Sequence, residues 1–142
     1  MRPALLLALV LVVPFPAFAA YDVAAWEEDF TTLGLQAEAF SKCEGRMTEK
    51  PRFKGCLQMW DDAKKRVVRM EKFAKATPDP FRTVRMKEQE EKLGTATAFL
   101  APEVRALPKA TYSKLMANDK QLATLKPEIE ALRKPAPKKP LS

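Results

Sequence analysis

From Asp22 to Glu44 the large apolar residues fall at Val23, Trp26, Phe30, Leu33 and Phe40, with Ala37 between the last two. Their steps alternate between three and four, which places them on one face of a helix. Asp22 stands where an N-cap is needed, and Glu27, Glu28 and Asp29 lie toward the positive end of that helix. Gly45 predicts its stop, and Arg46 to Lys50 reads as a polar turn. Pro51 suits the first turn of the next helix. That helix carries Phe53, Cys56, Trp60, Ala63, Val67, Met70 and Ala74 on one face. Thr77-Pro78-Asp79-Pro80 ends it.

Folding the two helices back about Glu49 and Lys50 sets large residues against large and small against small. Phe40 is expected opposite Trp60, Ala37 opposite Ala63, Leu33 opposite Val67 and Phe30 opposite Met70. Trp26 is expected near Phe73 and Ala74, and the acids at 27 to 29 near Lys72 and Lys75. The same register brings Cys43 beside Cys56 and Leu57 at the closed end.

The pattern weakens after Pro80. A third helix is expected over 80–92, with Phe81, Val84 and Met86 on an apolar face. Its "KEQEEK" stretch, 87–92, reads as a solvated surface supported by Lys–Glu pairs. Phe99 and Leu100 are candidates to dock on the hairpin, and Pro102 and Pro108 bracket a short helical turn. Tyr112, Leu115, Met116, Leu122, Leu125, Ile129 and Leu132 then recur at helical spacing, with Pro127 kinking that helix or starting another. The fold class expected is all-α: an antiparallel helical hairpin over 22–76, with one or two further helices over 80–133 completing a small bundle in a single domain, 20–133.

The ends change the picture of where the chain works. MRPALLLALVLVVPFPAFAA has a positive start, a ten-residue apolar run from Ala4 to Val13, and small residues at Ala17 and Ala19. This is the pattern of a secretory signal peptide over 1–19, cut before Ala20. The run is shorter than the ~20 apolar residues that span a bilayer. A periplasmic or secreted location is expected, with no stable membrane insertion once the signal is removed. Residues 134–142, KPAPKKPLS, read as a disordered basic tail.

Export decides how the cysteines are read. Cys43 and Cys56 are the only two in the chain, with twelve residues between them. In an oxidising compartment an even pair is first a disulfide, and the hairpin register brings these two together. A redox site would use Cys-x-x-Cys, and two cysteines with no histidine do not supply the usual zinc set.

Candidate chemistry narrows the function further. The chain has no histidine, which removes Ser–His and Cys–His nucleophilic pairs and histidine ligation of haem or metal. Its few glycines form no phosphate loop. Glu88 and Glu91 share a helical face in a lysine-rich run, where ordinary titration is expected, and the adjacent Asp61 and Asp62 diverge around their helix. The methionines are not clustered as a copper site would have them. No catalytic residue, cofactor or metal is therefore expected, and the chain is read as a non-enzyme.

Charge supplies the one candidate surface. The net charge is +7, unevenly spread: 20–49 holds seven acids and two bases, whereas 50–76 holds nine bases and three acids. Lys65, Arg69 and Lys72 share one stripe of the second helix, flanked by Lys64, Arg66 and Lys75. This stripe is either a binding face for an acidic protein surface, anionic lipid or wall polymer, or a solvated face partly paired with acids of the first helix. Nucleic acid is not expected, because no aromatic residues interleave with these bases.

In size, charge and expected compartment the chain resembles the small basic helical-hairpin chaperones of the bacterial periplasm. Their Leu-Thr-x-x-Gln motif is absent: LGLQ at 33–36 and LATL at 122–125 do not match it. The expected function is thus an exported binding, adaptor or structural protein of the bacterial envelope, with a protein partner there. A periplasmic chaperone or an inhibitor of a secreted enzyme is the alternative, and an enzyme comes third.

Overall fold

The computed structural model describes residues 20–135, so the expected signal peptide and most of the expected tail lie outside the described residues. The order is α1 (Val23–Phe40), α2 (Lys50–Ala76), α3 (Pro80–Thr97), α4 (Leu100–Ala106), α5 (Lys109–Met116), α6 (Lys120–Thr124) and α7 (Lys126–Arg133). All described secondary structure is helical, as the apolar spacing predicts. No described helix is long and apolar enough to cross a membrane.

Local chemistry sets the boundaries. The Asp22 carboxylate accepts the Ala25 N–H at 2.9 Å and caps α1. Asp79 does the same for α3 through Phe81 and Arg82, and Asp119 for α6 through Gln121 and Leu122. Pro51 lies in the first turn of α2, where its missing N–H is harmless. The helix α1 ends at Phe40, earlier than the sequence pattern suggests, and tight turns carry the chain to Gly45. Gly45 takes φ +77°, a left-handed conformation that glycine adopts without steric penalty, and its N–H donates to Glu103 of α4 at 2.8 Å.

The hairpin of α1 and α2 forms in the expected register. Cys43 and Cys56 are disulfide-bonded, Gln36 donates to Asp62 at 2.6 Å, and Asp29 meets Arg69. Two apolar clusters divide its length. Trp26, Leu33, Ala63 and Met70 are buried toward the open end, covered by Met86 of α3. Around the closed end lie Phe40, Cys43, Phe53, Cys56 and Leu57, covered by Leu100, Val104, Leu115, Leu122 and Ile129 from α4 to α7. Leu100 thus docks on the hairpin as expected, and Phe99 packs half-buried beside it. Each fully buried large side chain contributes about 1.5–3 kcal/mol.

Four expectations need correction. Met47 lies in the presumed polar turn yet is buried, reaching the disulfide-end core. Phe81 and Val84 do not face the core: α3 turns Met86 and Gln89 inward, which leaves Phe81 82% and Val84 58% exposed. The KEQEEK stretch is not solvated all round, because Gln89 is buried and donates from Nε2 to the Phe30 carbonyl at 2.9 Å. The last helix is three. Asn118 takes φ +56° and Asp119 caps a new start, which the spacing did not predict, whereas Pro127 opens α7, one of the two outcomes expected for it.

Candidate functional site

The stripe expected from sequence lies on the outer side of α2, and its three members differ in state. Lys65 is exposed and bridges Asp61 one turn earlier at 2.9 Å; that hydrogen bond raises its pKa. Arg69 lies over Asp29 of α1, donating from Nη2 at 3.1 Å and from Nε at 3.3 Å. Lys72 is exposed, with no carboxylate partner among the described residues. Between them stands Val68, 64% exposed. The stripe is therefore an apolar residue rimmed by bases, two of which already hold carboxylates of this chain.

Beneath the stripe is a polar hub that the charge pattern alone did not reveal. Asp29 is buried and accepts from Arg66 and Arg69 of α2 and from the Tyr21 hydroxyl at 2.7 Å. Burial pushes the Asp29 carboxyl up, but the bonds from Arg69, Tyr21 and Arg66 together hold it below the usual carboxylate value. Burial and the same bond push the Tyr21 hydroxyl well above its ordinary value. The predicted register sets Asp29 opposite Glu71, so its pairing with Arg66 and Arg69 emerges only from the packed structure.

The ion pairs of the first helix thus run elsewhere than expected. Asp29 takes Arg66 and Arg69, while Glu27 takes Arg85 of α3 through two bonds of 2.6 and 2.8 Å. That pairing lowers the Glu27 pKa. Lys72 and Lys75 do not pair with the acids at 27–29: arginines hold Asp29 and Glu27, and Glu28 has no ion-pair partner among the described residues. The Arg85 guanidinium also lies 4.4 Å from the Phe30 ring centroid and 5.2 Å from that of Trp26. Trp26 and Phe40 are fully buried; Phe30 and Trp60 are half-buried, and Lys64 Nζ sits 3.5 Å from the Trp60 centroid.

Two hollows open on the outer face and share Arg69. One, of about 400 Å³, surrounds Val68 with Asp61, Lys64 and Lys65. The other, of about 350 Å³, is walled by Tyr21, Phe73, Ala76 and Lys72. On the opposite flank, Glu71 of α2 and Glu90 of α3 border a separate hollow of about 390 Å³ with Lys75, Thr83 and Lys87. Burial, then the bond to Glu71 and its charge, push Glu90 up to about 7. Glu88 and Glu91, the acids that spacing singles out on that helix, are exposed, whereas the inward position of Glu90 follows from Met86 and Gln89.

Set against known proteins, the chain matches no family model, no curated protein and no solved structure.

Proposed function

We propose that this chain is an exported, non-enzymatic adaptor of the bacterial envelope that docks one folded partner on the outer face of α2. The observation that carries this reading is Val68, left 64% exposed at the centre of a helix face rimmed by Lys64, Lys65, Arg69 and Lys72. An apolar centre within a charged rim is how protein interfaces are built. The hub at Asp29 supports the reading by fixing Arg69 in place, so less side-chain freedom is lost on docking. The disulfide suits an exported chain. The test is recovery of partners from an envelope extract by crosslinking and mass spectrometry. One stoichiometric partner, lost with Val68→Glu and with Lys65→Glu/Lys72→Glu, is expected; recovery unchanged by both variants would refute the assignment of this face.

A chaperone is the second reading, and Phe81 and Val84 favour it. They lie three residues apart on α3 and expose large apolar surface together. On this reading many unfolded clients would be recovered, and Phe81→Ser/Val84→Ser would abolish their capture. The raised pKa of Glu90 is the feature an acid–base enzyme would share. We read it as two carboxyls crowded by helix packing, a reading that the stability measurement on Glu90 below examines.

A further inference from the structure

We infer that the hollow formed by Tyr21, Phe73, Ala76, Arg69 and Lys72 is the anchor pocket of the docking face, and that the partner fills it with one large apolar side chain flanked by carboxylates. This deepens the adaptor reading and rests on it. The walls are apolar for a traceable reason. The Tyr21 hydroxyl and the Arg69 guanidinium both turn inward to Asp29, so their polar ends are engaged and the phenol ring and the arginine stem are left facing the hollow. The Phe73 ring stands edge-on to Tyr21, with centroids 5.4 Å apart, and both rings are only half-buried. Ala76 is small, which leaves about 350 Å³ of space, enough for one leucine or aromatic side chain.

Charge selects the rest of the occupant. Lys72 lines the hollow without a carboxylate partner among the described residues. Lys64 and Lys65 lie further along the same face, where the lone acid in the neighbouring hollow, Asp61, is already bridged to Lys65. A basic segment would meet repulsion here, and an acidic one would find Lys72 free to pair. Anchor residues that fill such pockets carry most of the energy of an interface. An acidic segment with a single apolar anchor is therefore the chemistry that fits.

The probe is a set of short synthetic peptides titrated into the oxidised, isotope-labelled protein and followed by nuclear magnetic resonance. The set has a central phenylalanine between glutamates, the same peptide with alanine at the centre, and the same peptide with lysines for glutamates. The glutamate–phenylalanine peptide is expected to shift the signals of Tyr21, Lys72, Phe73 and Ala76. The alanine peptide should bind roughly tenfold or more weakly, the cost of an unfilled pocket. The lysine peptide should not bind. Ala76→Trp, which fills the hollow, and Lys72→Glu, which reverses its charge, should each remove the shifts while the remaining spectrum stays that of the folded chain. Equal binding of the phenylalanine and alanine peptides, or shifts elsewhere only, would overturn the pocket. So would contacts to Phe73 from a second copy or from residues 1–19. If Val68→Glu abolishes partner recovery and Ala76→Trp does not, the pocket fails and the docking face stands; if neither matters, both fail.

Discussion

Asp29 of α1 accepts a 3.1 Å hydrogen bond from Arg69 of α2, and through it the interior of the hairpin is tied to its basic outer face. Arg66 and the Tyr21 hydroxyl complete the set around the same carboxylate. Removing Asp29 would leave Arg69 with no carboxylate and Arg66 with Asp62 alone. Asp29→Ala is expected to destabilise the fold by roughly 2–4 kcal/mol, somewhat below the full penalty for breaking a buried pair because Arg69 is half-exposed. Tyr21→Phe should cost about 1 kcal/mol, the worth of one hydrogen bond. Denaturant melts of the two variants check both figures. The Asp29 carboxyl is held below its ordinary value, so its contribution is present above the unfolded carboxylate pKa of ~3.9 and is lost as pH falls through the depressed folded value.

Glu90 has the opposite sign. Its folded pKa is about 7, above the ordinary glutamate value, so the folded chain holds that proton more tightly than the unfolded one. The stability it contributes is complete below pH ~4.3 and is lost as pH rises through 7. Glu90→Gln should flatten this decline and stabilise the protein at pH 8 by about 1–2 kcal/mol, a figure already reduced for solvent screening. Melting temperature against pH for the two proteins checks it. Parallel curves would mean that Glu90 is not strained against Glu71, and would remove the packing explanation given above.

The disulfide makes its own prediction. Closing a loop with a sequence separation of 13 restricts the unfolded chain by about 3 kcal/mol. Denatured, oxidised protein should show no titratable thiol. Cys43→Ser should lower the melting temperature while helix content at low temperature stays largely intact, since the core around Trp26, Leu33, Ala63 and Met70 lies away from the bridge. A large loss of helicity by circular dichroism at low temperature would show that the bridge holds the hairpin together alone.

Asn118 governs the break between α5 and α6 through its left-handed φ of +56°. Asn118→Gly should be neutral or slightly stabilising, whereas Asn118→Val should cost roughly 1–2 kcal/mol, because a branched side chain clashes in that conformation. Thermal melts separate the two.

The hairpin was legible because each of its helices shows an apolar face at helical spacing and size matching about the turn aligns the two. Cys43–Cys56 and Gln36–Asp62 both fall in that register. The half after Pro80 was less legible because its inward positions are not all apolar. Gln89 is buried through one hydrogen bond and Glu90 by packing, whereas Phe81 and Val84 carry the apolar pattern outward. Periodicity also passed over Asn118-Asp119, where a left-handed turn and a cap outweigh the spacing of Leu115 and Leu122. On the candidate face, the residue numbers of Lys65, Arg69 and Lys72 gave the stripe. That Arg69 is pinned from beneath by Asp29, and that Val68 stands exposed between the bases, required the packed structure.

The most direct measurement places a photo-crosslinking amino acid at position 68 of the protein in living cells, with the same substitution at Glu91 on α3 as a control. A single discrete adduct from position 68, and none from position 91, is the predicted result. Its absence from position 68, or an equal smear of adducts from both positions, would contradict a docking face on α2.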